Sequence, residues 1–198
     1  MILPVYGLLS NEKKHFGSAF ILSSGLLITA GHNLRNDYDE KFDSIFIEIN
    51  DSIFILDNPL FKEYKSVYEN SIDNYLDLAI FKTNNDFDCV SELTLSSELP
   101  YEVTMKGFVV NGFQLESIES RIESKDYSYK SFDPIDVTKS VKFKNCFYMS
   151  HPTNPGISGG PVLNGQEVVG MIVYGHEYSG TTAIKASYII EKINEMNK

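Results

Sequence analysis

The sequence predicts an all-β fold that ends in a single helix, and three observations predict it. Apolar and polar residues alternate over short runs through most of the chain. The dipeptide Asn164-Gly165 sits between two such apolar runs. A helical spacing emerges only after Ser187. In chain order, the alternating runs cover residues 15 to 24, 44 to 57, 76 to 83, 103 to 110 and 161 to 174. Side chains point to opposite faces at successive strand positions, so this alternation fits strands with one face buried. Asn-Gly tolerates the positive φ of a tight turn and predicts a hairpin there. Beyond Ser187, a plausible N-cap, Tyr188, Ile189, Ile190, Ile193 and Met196 share one helical face, which predicts a helix over about 187 to 197. The polar stretch from Glu116 to Lys142 has the least pattern and is expected to hold long loops or ragged strands. A length of 198 residues is compatible with one domain or two small ones, and two β halves would join near residues 94 to 102, around Ser96, Ser97 and Pro100.

Composition narrows the function classes. With 42% hydrophobic and 13% aromatic residues the chain can bury a substantial core. A formal net charge of -10, with no run of Lys and Arg, opposes binding to a phosphate backbone, so nucleic acid is not expected as a partner. The same charge serves solubility or favours basic substrates. The apolar start Met1-Ile2-Leu3 has no basic residues before it, and Glu12, Lys13 and Lys14 interrupt it, so no secretory signal is expected. No stretch approaches 18 uncharged apolar residues, and no membrane association is expected. Cys89 and Cys146 are too few for a disulfide framework and lack metal-site spacing. They read as free buried thiols in a reducing cytoplasm, with no metal or cofactor.

The sharpest motif is Pro155-Gly156-Ile157-Ser158-Gly159-Gly160-Pro161-Val162. Glycines on both sides of Ser158 let the backbone bend tightly around one hydroxyl and leave amide N–H groups pointing into the turn. A serine attacks a carbonyl only when a base takes its proton and donors meet the developing oxyanion, here most simply the N–H groups of Gly156 and Ser158. The candidate base is His32 in Ile28-Thr29-Ala30-Gly31-His32-Asn33, at the end of a β run where the chain must turn. The candidate orienting acid is Asp77 in Leu76-Asp77-Leu78-Ala79-Ile80-Phe81. Alternation puts Asp77 on the face of Ala79 and Phe81, between two largely apolar surfaces, so its carboxylate needs a nearby donor such as an imidazole N–H. The order His, Asp, Ser is that of the chymotrypsin-like β-barrel enzymes.

These segments resemble the trypsin-like serine peptidases. GSAFILSSGLLITAGH at 17 to 32 resembles their histidine-bearing strand-turn-strand, DLAIFK at 77 to 82 their aspartate segment, and PGISGGPVLNGQEVVGMIVYG their nucleophile region with the hairpin after it. The C-terminal AIKASYIIEKI resembles the end of bacterial HtrA-type protease domains. The resemblance implies two packed six-stranded antiparallel β-barrels, about 1 to 95 and 100 to 182, with the triad in the cleft between them. It implies His32 as general base, Asp77 as its orienter, Ser158 as nucleophile, and Gly156 with Ser158 as oxyanion donors. It also implies that Val173, Tyr174 and Gly175 pair with an extended substrate, by β-strand addition.

Departures from the family pattern carry information. Ile157 stands where digestive members have an aspartate that captures a new N-terminus, so activation by that cleavage is not expected. Pro152 occupies the position of the acid that selects Arg or Lys. Thr153 is expected to line the pocket, and His151 and His176, though candidates for it, are expected to have structural or surface roles; a small or apolar residue is the preferred fit and Glu or Gln the alternative, because Ile172 or Val173 stands where glutamyl-specific relatives carry a histidine. HtrA proteins usually continue into a peptide-binding PDZ domain, which is not within these 198 residues, so regulation is expected to come from elsewhere. The expected activity is hydrolysis of a specific protein or peptide substrate, with a regulatory partner protein conceivable. The competing reading is an inactive member that binds peptides along the same groove.

Overall fold

The computed structural model describes residues 1–34, 42–49, 52–63, 72–75, 77–83, 91–110, 114–132, 140–176 and 179–198. Strands β1 (Ile2–Leu9), β2 (Glu12–Ile21) and β3 (Leu26–Thr29) form a meander that ends in a 3-10 turn at Gly31–Leu34. The hairpin β4 (Ser44–Ile49) and β5 (Ser52–Ile55) follows, then β6 (Phe61–Glu63), β7 (Ile72–Tyr75), β8 (Leu78–Lys82) and the short β9 (Thr94–Leu95). The remainder comprises β10 (Glu102–Phe108), β11 (Leu115–Phe132), β12 (Ser140–Met149), β13 (Pro161–Asn164), β14 (Glu167–His176), β15 (Gly180–Lys185) and α1 (Ala186–Met196).

The strands make two sheets. The first runs β5-β4-β1-β2-β3-β8-β6. In the second, β11-β10-β13-β14-β15-β12, an additional pairing of β11 with β12 closes a six-stranded barrel. The expected all-β, chymotrypsin-like two-barrel fold with a C-terminal helix is therefore present. Its first barrel is a curled seven-stranded sheet, and among the described residues its outer strands β5 and β6 do not meet. β7 precedes β8 in sequence yet joins the second sheet, pairing in parallel with Val141, Lys142 and Phe143 of β12.

Three strands of the first sheet bury both faces. Phe20, Ile28, Leu78 and Ile80 pack into one cluster with Leu163, Val168, Met171 and Ile184 of the second sheet and Tyr188 and Ile189 of α1. Their neighbours Ala19, Ile21, Leu27, Ala79 and Phe81 face the other way, into a cluster with Leu3, Val5, Ile47 and Ile49. The near-continuous apolar runs in β3 and β8 follow from this double burial. A third cluster fills the closed barrel, and Ile157, 1% exposed, belongs to it.

The structure decides between the loops and ragged strands expected for one stretch and corrects the start of the helix. The stretch from Glu116 to Lys142 is largely strand, formed by β11 and the start of β12; residues 133–139 lie outside the described set. Ile118, Ser120 and Ile122 alternate there with Glu119, Arg121 and Glu123, and the inward serine masks the apolar rhythm. Register shifts after Ile122 then disrupt the alternation in the β12 ladder. Helix α1 begins at Ala186, and Lys185 rather than Ser187 is its N-cap, in extended conformation without a side-chain bond. Lys185 is the last residue paired in the ladder, opposite Gly170, so the helix starts as soon as the backbone leaves the sheet. The hairpin after Asn164 is present, with Gly165 (φ 62) and Gln166 as its two loop residues. α1 packs Tyr188, Ile189, Ile193 and Met196 on the seam between the sheets, and among the described residues no helix is long and apolar enough to cross a membrane.

His15 in β2 is 5% exposed. Its ring sits edge-on to Tyr6 and Phe108, and Nε2–H donates to the Gly17 carbonyl at 2.8 Å. Burial disfavours the charged ring and lowers its pKa below the ordinary value, opposed by backbone hydrogen bonds to Gly17 and Val109. In the unfolded chain the group takes a proton near pH 6.5, roughly, before the folded protein does, so stability is lost as pH falls below that point. Melting temperatures at pH 7.5 and 5.5 should drop more steeply for the wild type than for His15→Asn. Equal drops would show that His15 is not a source of acid sensitivity. Ile157→Asp should cost about 3–5 kcal/mol in urea denaturation, because it puts a carboxylate into an apolar barrel interior.

Candidate active site

The structure brings His32 and Asp77 together. His32 lies in the 3-10 turn that follows β3, and Asp77 immediately precedes β8, the strand paired with β3. Asp77 therefore stands outside the ladder, and the strand alternation expected for it does not govern its direction; its neighbour Leu76 lies outside the described residues. Its side chain is 3% exposed and that of His32 is 31% exposed. One carboxylate oxygen accepts the His32 backbone N–H at 2.7 Å, and the other lies 2.5 Å from His32 Nδ1. The buried acid thus has the donors its location requires, both from one residue.

Ser158 sits in the turn between Asn154 and Pro161. Gly156 (φ 100) and Gly159 (φ 87) adopt backbone conformations that side chains resist. A Cβ on Gly159 would lie 2.1 Å from the Ser18 carbonyl oxygen, so the turn and β2 touch backbone to backbone. Ser18 N–H donates to the Ser158 carbonyl at 2.8 Å, and Asn33 Nδ2 donates to the same oxygen at 3.0 Å. Asn33 directly follows His32, so the amide that holds the serine turn belongs to the histidine turn. Asn33 Nδ2 also reaches Thr29 Oγ1 at 2.9 Å and the Ser18 carbonyl at 3.3 Å. On the barrel side, Gly159 N–H donates to Ile172 and Ile172 N–H to Gly160, at 2.8 and 2.9 Å.

The Pro155 carbonyl accepts the Val110 N–H at 3.0 Å. No peptide bond here is cis, so the Gly156 N–H, on the same peptide plane, points the opposite way. Among the described residues neither the Gly156 nor the Ser158 N–H has an acceptor.

Of the expected substrate contacts, Val173 is buried in the seam cluster and offers main chain, Tyr174 is 38% exposed, and Gly175 adjoins Thr153. A Cβ on Gly175 would lie 2.5 Å from Thr153 Oγ1, which itself accepts from Thr181 Oγ1 at 3.4 Å. β13 pairs with β14 only as far as Met171, whereas β15 continues alongside Tyr174 and Gly175. His151 is exposed with Nδ1 3.1 Å from Ser150 Oγ, and the His176 side chain lies outside the described residues. Cys146 is a free buried thiol, while Cys89 lies outside the described residues. Burial first, and the nearby Asp77 charge second, push the Cys146 thiol up to about 12, so it stays protonated. Among the described residues no three His, Cys, Asp or Glu side chains gather as a metal site.

Ser18 and Asn33 join the site without having been expected there. Both are fully buried polar residues, and no local pattern in the sequence marks them.

Comparison with known proteins gives a consistent frame. The structure superposes on the active form of the Rv3671c protease from M. tuberculosis with a TM-score of 0.71 at 15% identity, covering 98% of this chain and 80% of that one. The HtrA-type protease AlgW with tripeptide gives 0.65 at 17% identity, covering 98% of this chain and 59% of that one. A serine endoprotease from Yersinia pestis gives 0.65 at 16% identity, covering 98% and 62%. At these identities the likeness is one of fold. No curated protein sequence matches. The sequence profile of the trypsin-like peptidase domain matches residues 17–171, most of the chain and all three segments just described. The chain belongs to the trypsin-like peptidase domain family.

Proposed function

We propose that the protein is a serine endopeptidase that cleaves peptide bonds through an acyl-enzyme, with Ser158 as nucleophile, His32 as general base and Asp77 as its orienting acid. The observation that carries this reading is the two-point contact of Asp77 with His32. An ionised carboxylate only accepts hydrogen bonds, so the contact at Nδ1 keeps the ring proton there and leaves the Nε2 lone pair for the serine proton. Ser158 Oγ then bonds to the scissile carbonyl carbon as its proton passes to Nε2. The carbonyl oxygen becomes an oxyanion facing the N–H groups of Gly156 and Ser158. Collapse of that intermediate breaks the C–N bond, and the leaving amine takes the proton from Nε2. Water repeats the sequence on the acyl-serine, releasing the acid and restoring Ser158.

Membership of the family implies a protein or peptide substrate. In this proposal it lies extended along β14 beyond Met171 and pairs with the main chain of Val173, Tyr174 and Gly175. The close approach of Gly175 to Thr153 supports a pocket for a small or apolar residue, with Glu or Gln the alternative through the Thr153 hydroxyl. Narrow action on one partner protein, in a cytoplasm that keeps Cys146 reduced, completes the proposal.

A fluorophosphonate probe followed by intact mass analysis tests it. One adduct on Ser158 is expected, and none in Ser158→Ala or His32→Ala. On a substrate found by peptide-library profiling, either change should lower turnover roughly a millionfold. A wild-type protein that takes no adduct would favour the peptide-binding reading instead.

A further inference from the structure

We propose that Ser18, remote in sequence from the serine turn, is a positioning residue whose hydroxyl holds the Gly156 peptide in its oxyanion-donating orientation. The inference rests on the peptidase reading above and names a residue that reading does not use. Ser18 is fully buried in β2 of the first sheet. Its Oγ accepts the Phe108 N–H at 2.8 Å and donates to the Gly156 carbonyl at 2.8 Å, so one hydroxyl bridges β10 and the serine turn.

Gly156 joins two peptide planes. The plane before it carries the Gly156 N–H and is held through the Pro155 carbonyl by Val110. The plane after it carries the Gly156 carbonyl and the Ile157 N–H. That N–H makes only a long bond, 3.4 Å, to the Asn154 carbonyl. The 2.8 Å bond from Ser18 is therefore the firmer restraint on the second plane. Gly156 has no side chain to resist rotation, and at φ 100 only the bonds on its two flanking planes define where its N–H points.

The position of Ser18 adds reach. Its N–H holds the Ser158 carbonyl at 2.8 Å, and its carbonyl accepts from Thr29 Oγ1 at 2.7 Å and from Asn33 beside His32. A single residue thus refers the serine, the donor peptide and the histidine turn to one point. Removing only the hydroxyl leaves those backbone bonds in place and releases the Gly156 carbonyl together with the Phe108 N–H.

The rate of fluorophosphonate labelling at Ser158 tests this, compared among wild type, Ser18→Ala and Thr83→Val. Thr83 Oγ1 makes a partly buried bond to the Gly25 carbonyl at 2.7 Å, at the far end of β3 and β8 from His32, and controls for the loss of a hydroxyl-to-carbonyl bond. Ser18→Ala should label about 10- to 100-fold more slowly while keeping a cooperative thermal transition, because a displaced donor forfeits much of the hundredfold or more that one donor supplies. Thr83→Val should lose stability and label at the wild-type rate. Labelling of folded Ser18→Ala at the wild-type rate, or equal slowing in Thr83→Val, overturns the proposal. If Ser18→Ala does not fold, Ser18→Cys replaces it, with the same slowing expected from its weak S–H donor and the wild-type rate again overturning it. A wild-type protein that does not label overturns the peptidase reading itself, and the proposal falls with it.

Discussion

The Ser158 carbonyl is held from the opposite half of the molecule, by the Ser18 N–H and the Asn33 side-chain amide, and the geometry of the site depends on that seam. The free energy that docks the two sheets comes mainly from apolar burial. Phe20, Ile28 and Ile80 meet Leu163, Met171 and Ile184 there, and each such side chain contributes roughly 1.5–3 kcal/mol when fully buried. A hydrogen bond contributes about 1 kcal/mol net, so the polar bonds at the seam are too few to dock the halves. Their role is register. Apolar packing tolerates small sliding, whereas a carbonyl held by two donors at 2.8 and 3.0 Å has one position.

The serine turn has a second anchor of a different kind. Ile157 projects into the closed barrel and packs in its apolar core. Its apolar burial ties the turn to the packing of the barrel. The backbone then adopts the positive φ at Gly156 and Gly159, and leaves two N–H groups without an acceptor among the described residues. Asp77 behaves in a complementary way. Its burial would be costly alone, and His32 relieves that cost at two points, which also prevents the imidazole from turning.

Structures matched at 13–17% identity share this architecture, which shows how loosely the fold constrains side chains and how tightly it constrains pattern. Double burial of β2, β3 and β8 demands apolar residues of suitable size. The positions around Ser158 demand glycine for a steric reason: a Cβ on Gly160 would lie 2.1 Å from the Lys106 carbonyl oxygen.

By itself the sequence determined what local chemistry controls. Alternation marked the strands, Gly165 marked the hairpin, the 3.6-residue spacing of Tyr188, Ile189 and Ile193 marked the helix, and the glycines around Ser158 marked the tight turn. Each of these depends on residues a few positions apart. Only the tertiary structure decided matters that depend on long-range pairing. β11 is a strand because β10 and β12 flank it, despite its polar sequence and its register shifts. β7 leaves its own half to join β12, and Asp77 lies before β8 rather than within it, so its contacts with His32, and not strand alternation, fix its direction. Ser18 and Asn33 could not be read at all from the sequence. A buried polar residue acquires its role from the groups that tertiary contact places around it, and those of Ser18 come from β10 and from a turn on the opposite half of the chain.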